Sequence, residues 1–265
     1  MLTGPRTGDA LMAPIECRVI SLTAATQRRA MVKLRMGRLG LPWRFFDAHT
    51  AADNTLPYDA ERALTRRGYL LKPAEIGCFS SHVGCLRAYL EDADGAEFLL
   101  VLEDDVLLDE HFDFSGLPQL MRSLDIQYLK LFSRNITRFR YLGRCGARGV
   151  YRFVVPPYGT QAYVVSRSGA RRLVSGLSRI ERPVDDEMDR YWINGLPTYA
   201  LFPYPALESE LASTVPKGFS EPTPLTLRQT LSLYAHVWAG KLPREWASLR
   251  LRARDRVVSA KLAAR

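Results

Sequence analysis

The chain has 265 residues, 47% hydrophobic and 25% charged, with a formal net charge of +9. That length and apolar content suit one large α/β domain with its own core, and no apolar run approaches the roughly 20 residues that span a bilayer. The charge is concentrated at one end: Lys241 to Arg265 holds eight basic and two acidic residues, a net +6, which leaves +3 for the other 240.

In chain order, Met1 to Pro14 lacks the apolar stretch of a secretory signal and is expected to be a disordered leader. Cys17–Leu22 reads as a strand, Ala24–Leu39 as a helix and Trp43–Asp47 as a second strand, a β-α-β start that suggests a parallel sheet. Asn54–Lys72 is polar and irregular, with room for one helical turn. Pro73 suits the first turn of a helix over Pro73–Asp92, whose apolar stripe is Ile76, Phe79, Val83, Leu86 and Leu90. Phe98–Leu102 is a strand buried on both faces. Asp109–Leu124 mixes a turn and a helix, and Tyr128–Phe132 is another strand. Arg134–Gly149 is a basic loop or hairpin connection. Strands follow over Val150–Val155 and Gln161–Ser166, and Ser166 caps a helix that reaches Leu177. Pro183–Trp192 starts a further helix. Thr198–Leu207 is extended, Glu208–Pro222 is polar and expected to be flexible, and two helices cover Thr223–Gly240 and Pro243–Ala263. The expected division is a leader over 1–14, a catalytic domain over 15–222 and a basic helical extension over 223–265.

The run Phe98-Leu99-Leu100-Val101-Leu102 leads directly into Glu103, Asp104 and Asp105. Three adjacent anions repel one another, which favours a cation beside them: a divalent metal or a basic side chain. In an extended strand Glu103 and Asp105 point one way and Asp104 the other. Oxygen ligands suit Mn²⁺ or Mg²⁺ better than zinc. A strand that simply ends in solvated acids has the same appearance. A second acidic cluster, Asp185-Asp186-Glu187-Met188-Asp189, suits the first turn of a helix, and an aspartate there is also placed to act as a general base. His82 lies on the helix before the acidic strand. Arg28 and Arg29 open the helix after the first strand, where either would reach a phosphate or solvent.

The four cysteines have neither a CxxC pair nor zinc spacing, and buried free thiols account for them. There is no GxGxxG, GxxxxGK[ST], GxSxG or HExxH, which argues against P-loop NTPases, dinucleotide dehydrogenases, α/β-hydrolases and zincins. The basic tail interleaves Trp246, Leu249, Leu251, Val257, Val258 and Leu262 with arginines. It suits an anionic membrane surface through residues 241–265, and equally a solvated helix packed on the domain. No nucleic-acid recognition motif accompanies the charge.

Taken together and in this order, these segments resemble glycosyltransferase family 25, which includes bacterial lipooligosaccharide galactosyltransferases. The resemblance runs from Arg18 to Tyr204. It is carried by Val19-Ile20-Ser21-Leu22 with Gln27-Arg28-Arg29, by Phe45-Phe46-Asp47-Ala48, and by Glu75-Ile76-Gly77-Cys78-Phe79-Ser80-Ser81-His82. It continues through Leu102-Glu103-Asp104-Asp105-Val106, Gly159-Thr160-Gln161-Ala162-Tyr163 and Pro183-Val184-Asp185.

The resemblance implies a GT-A-like, Rossmann-like α/β fold: a mostly parallel sheet flanked by helices, with the basic helices at the C-terminus. It implies an inverting transferase that moves a sugar from a UDP-sugar donor, typically UDP-galactose, to a glycan or glycolipid acceptor such as lipopolysaccharide. In that reading Asp105, with Glu103 or Asp104, holds Mn²⁺ or Mg²⁺. Ser21, Arg29, Asp47, His82 and Asp104 serve the nucleotide-diphosphate side, and Asp185 or Asp186 is the base. The expected setting is cytoplasmic and peripheral on the inner membrane. Two rivals make different use of the same residues. A metal-dependent phosphoryl-transfer or hydrolytic enzyme would use the acids, and a non-catalytic membrane- or nucleic-acid-binding protein would use the tail alone.

Overall fold

The computed structural model describes residues 14–93, 95–209 and 223–265. The leader expected before Pro14 and nearly all of the expected flexible segment 208–222 lie outside the described residues. An eight-stranded sheet forms the centre, in the order β2-β1-β3-β8-β5-β9-β7-β6. Its strands are β1 (Ile15–Ser21), β2 (Trp43–Asp47), β3 (Phe98–Glu103), β5 (Tyr128–Lys130), β6 (Phe139–Cys145), β7 (Arg148–Phe153), β8 (Ala162–Ser166) and β9 (Tyr199–Phe202). The short strands β4 (Val106–Leu108) and β10 (Ala206–Glu208) pair separately and antiparallel. β1 lies parallel to both β2 and β3, and β5 parallel to β9, whereas β8 and β7 run against their neighbours. Six of the eight strands therefore point the same way, and the sheet is mostly parallel with two reversed strands.

Helices cover both faces because the buried strands alternate apolar residues to each side. Leu100 and Leu102 of β3 join a core with α1 (Thr26–Met36), α4 (Leu117–Leu124) and α9 (Arg252–Ala263). Leu99 and Val101 join a second core with α2 (Ala60–Arg67), α3 (Pro73–Glu91), α5 (Arg167–Gly176) and α6 (Val184–Met188). Ser166 caps α5 by accepting from the Gly169 amide.

Four elements differ from the sequence expectation. The Asn54–Lys72 stretch holds a two-turn helix, α2, started by the Asp59 side chain on the Arg62 amide and closed by Gly68 at φ 81°. Arg134–Gly149 contains the edge strand β6, joined to β7 by a tight turn at Gly146. The helix after Pro183 breaks into α6 and α7 (Tyr191–Asn194), because Asp189 turns inward to Lys130. At the C-terminus, α8 (Leu227–Arg250) runs straight through Pro243, and the break falls at Leu251 instead. A mid-helix proline forfeits one backbone hydrogen bond, and here tertiary contacts on both sides of it hold the helix. Leu233 meets Gly68, and the Arg152 guanidinium donates to Ser248.

Candidate functional site

Ser21, Asp47 and Glu103 end three adjacent strands at one sheet edge, with Ser21 in register with Asp47 and Ile20 with Glu103. This is the carboxyl end of parallel strands, where open α/β sheets bind ligands. Alternation sends consecutive acids to opposite faces. On the α3 side, Glu103 Oε1 accepts from Thr160 Oγ1 (3.0 Å) and lies 3.4 Å from His82 Nε2. On the α1 side, Asp104 accepts from Ser21 Oγ (2.6 Å) and pairs with Arg28 (2.8 Å). Burial acts to raise the Glu103 carboxyl, but His82, Thr160 and Arg134 outweigh it and hold the group below its ordinary value. Burial wins at Asp104 and raises it, against Ser21 and Arg28.

Asp105 lies just past the strand and is buried, and its Oδ1 has no hydrogen-bond partner among the described residues. Its backbone carbonyl accepts from the Ser209 amide at 2.7 Å, which fixes the turn. Burial first, then Glu103, Asp104 and Glu208, push its carboxyl up to about 7. Such an orphaned anion suits a hard divalent cation. Asp105 and the Oε2 side of Glu103 fit that role, whereas both oxygens of Asp104 are already engaged by Ser21 and Arg28.

The helix before the triplet owes its sequence to this geometry. The Glu75 carboxylate accepts from the Lys72 amide at 2.8 Å and so caps the start of α3. A Cβ on Gly77 would sit 2.8 Å from the His49 carbonyl, so only glycine lets α3 approach the chain leaving β2. Ser81 Oγ accepts from the His49 amide at 2.8 Å. His82, fully buried, spans Tyr163 Oη (3.1 Å) and Glu103. Cys78, His82 and Glu103 place ligand atoms within 4.8 Å of one another. Burial and the nearby acids Glu103, Asp185 and Asp105 hold the Cys78 thiol far above its ordinary value.

The two downstream candidates separate. Asp185 Oδ2 accepts from the Gly159 amide (2.8 Å), and its Oδ1 from the Asp186 amide (2.9 Å). Gly159 and Thr160 thus link Asp185 to Glu103. Asp186 faces away, buried between Arg67 and Arg182, each at 3.3 Å. Asp189, one turn on from Asp185, is fully buried on Lys130 at 2.7 Å, where burial raises it to about 6 in spite of the lysine. Arg29 donates to Asp47 and to the Ser21 carbonyl (2.8 Å) and stacks on Phe45 at 4.6 Å.

Ser21, Arg29, Asp47, Glu103, Asp104, Asp105, His82 and Asp185 therefore gather at one edge, and Asp186 does not join them. Arg28, Thr160, Cys78 and Glu208 are there too. Of these, Arg28, Cys78 and Thr160 lie in the segments that carried the family resemblance, though none was singled out for a role there, and Glu208 had no sequence signal. A cleft of about 430 Å³ elsewhere, beyond β4 and β10, has Arg148 and Asp109 in its wall. They pair with each other, so neither is free to bind a ligand there.

Residues 15–188 match the family model described as glycosyltransferase family 25 (LPS biosynthesis protein). The chain belongs to that family. Among its relatives, the lacto-N-neotetraose biosynthesis glycosyltransferase LgtE of Neisseria meningitidis is 26% identical over 207 residues, 70% of this chain and 71% of that protein. LgtB of the same organism is 38% identical over 94 residues, 35% of this chain and 33% of its own length. The lipooligosaccharide biosynthesis protein lic2B of Haemophilus influenzae is 27% identical over 165 residues, 58% of this chain and 60% of that protein.

Proposed function

We propose that this protein is an inverting, GT-A-like glycosyltransferase that moves a sugar, galactose from UDP-galactose, onto a hydroxyl of a lipopolysaccharide- or lipooligosaccharide-type glycan. The observation that carries the reading is the buried Oδ1 of Asp105 just past β3, unpartnered among the described residues, with Asp185 held beside the same edge. Mn²⁺ or Mg²⁺ bound by Asp105 and Glu103 would screen the donor diphosphate and stabilise charge on departing UDP. Ser21, Arg29 and Asp47 line the nucleotide side, and Asp104 holds Arg28 toward it. His82 positions Glu103 and does not itself touch the donor.

Asp185 is the base. Its carboxylate takes the proton of the acceptor hydroxyl as that oxygen forms its bond to the anomeric carbon. The bond from the anomeric carbon to the UDP oxygen breaks with its electron pair on UDP, so one displacement inverts the centre. Asp186 is tied up by two arginines and keeps a supporting role. The acceptor glycan lies on the sheet face past Tyr204. There Phe139, Tyr151 and Phe202 stack edge-to-face in an open aromatic cleft of about 140 Å³. Exposed aromatic faces of this kind suit the apolar faces of sugar rings.

A donor screen tests the reading. Thermal stabilisation by UDP-galactose is expected with Mn²⁺ and much weaker with chelator. Asp185→Asn is expected to keep that stabilisation and lose sugar transfer by at least 10²-fold. Release of phosphate from nucleotides with no sugar transferred to any acceptor would instead support the hydrolytic rival.

A further inference from the structure

Helix α8 meets the rest of the protein on one side. Leu233 packs on Gly68, Arg182 donates to His236 at 2.8 Å, and Tyr191 Oη donates to the Arg244 carbonyl at 3.1 Å. The opposite face carries Leu227, Leu231, Tyr234, Trp238, Leu242 and Leu249, spaced by four, three, four, four and seven residues. Helical periodicity sets them in one stripe. All six are exposed, Leu231, Trp238 and Leu242 by 62, 65 and 70%. A stripe this long on a surface helix is the kind of contiguous apolar patch that marks an interaction site.

We propose that this face of α8 lies on an anionic lipid membrane, its leucines and Trp238 at the acyl boundary and its flanking cations on the headgroup phosphates. Charge selects this partner. Residues 223–265 hold nine basic and two acidic residues, a net +7, and one of the acids, Asp255, is buried against Arg152 and Arg140. Arg228, Arg250, Arg252 and Arg256 are exposed and make no ion pair among the described residues. The Lys241 ammonium sits 3.9 Å over the Trp238 ring, an aromatic–cation pair of the type that suits the headgroup layer. Docking a second copy here would set two +7 segments against each other, whereas anionic lipid supplies the opposite charge. No described helix is long and apolar enough to cross a membrane, so α8 rests in the interface plane.

This extends the anchor upstream of the basic tail that the sequence singled out, to Leu227, and takes part of that tail out of it. Within 241–265, Arg254 turns to Asp125 and Arg265 to Ser123. α9 itself buries Val258 and Leu262 in the core. The inner side of α8 adjoins the candidate base: His236 holds Arg182, and Arg182 pairs with Asp186, next to Asp185. The arrival of a lipid-linked acceptor beside Asp185 rests on the proposed transfer reaction, but the docking does not.

The experiment is flotation of the full chain with phosphatidylglycerol–phosphatidylethanolamine vesicles and, separately, with phosphatidylcholine vesicles. Wild type is compared with Leu231→Ser/Trp238→Ser/Leu242→Ser. Wild type is expected to float with the anionic vesicles at least tenfold more tightly than with the neutral ones. The triple variant is expected to lose at least tenfold of that affinity while keeping its circular dichroism and Tm, since all three positions are exposed. Tryptophan emission should shift to the blue on vesicle binding in wild type and much less in Trp238→Phe. Equal flotation of wild type and triple variant overturns the proposal. So does a lipid-free wild-type dimer that the triple variant converts to monomer, which would give this face to a second copy. Vesicle binding is read without turnover, so a failed donor screen leaves this test intact.

Discussion

Asp105 keeps a carboxylate where solvent is nearly excluded and three other acids are within electrostatic reach. Its raised value means that the folded protein holds this proton from about pH 4 up to about 7, while the unfolded chain has already released it. Stability from this group is therefore present at low pH and lost as pH rises through about 7, and the full shift is worth at most about 4 kcal/mol. Asp105→Asn removes the effect. In chelator, the Tm of wild type should fall between pH 5 and pH 8 by several degrees more than that of the variant. With Mn²⁺ and donor, the variant should lose turnover by at least 10²-fold. A parallel pH profile for the two proteins would show that Asp105 is not the strained group.

Gly159 offers an independent handle on Asp185. It sits at φ 86°, and a Cβ there would lie 2.8 Å from Gln161 Oε1 and 3.2 Å from the Arg134 amide nitrogen. Gly159→Ala should shift the amide that holds Asp185, lowering kcat by tenfold or more with little change in donor KM. The triplet was legible in sequence because three acids ending an apolar strand are conspicuous. The different surroundings of Asp185 and Asp186 were not, because they depend on arginines at positions 67 and 182 that reach Asp186 only in the folded chain.

Among the elements, α9 decides how the C-terminus attaches. Arg152 on β7 is fully buried and forks onto Asp255 of α9 at 2.6 and 2.8 Å. Removing one partner of such a pair leaves a buried charge and costs about 3–5 kcal/mol. Asp255→Ala should therefore lower stability by that amount in denaturant titrations. Arg152→Met with Asp255→Leu should recover much of the loss. The sheet edge formed by β9, β7 and β6 bears the aromatic face proposed for the acceptor. Phe202→Ala should raise acceptor KM severalfold and leave donor KM unchanged. A rise in donor KM instead would place the nucleotide on this face. Hydrophobic periodicity located most of these strands and helices. It gave no strand at β4, only one turn of α2 and only a loop or hairpin connection for β6; α2 and β6 are largely polar or exposed and owe their structure to a cap, a tight turn and pairing with β7.

For the whole molecule, the extension expected over 223–265 folds back onto the domain: Leu262 fills the space over Gly143, and Val258 joins the core. Ending the chain after Arg250 should expose that core and strand Arg152, so the truncated protein should melt well below wild type or fail to fold. A truncation that kept the wild-type Tm would show that α9 is dispensable. The sequence by itself determined the α/β class, the parallel opening of the sheet, the position of the acidic strand end and the family, because these depend on local periodicity and on residue order along the chain. The tertiary structure alone decided, among the described residues, which acid stays unpartnered, which aspartate is linked to the triplet and which face of the C-terminal helices remains exposed. Each of those depends on charges and apolar surfaces separated by tens of residues, and their pairing exists only once the sheet has brought its strand ends to one edge.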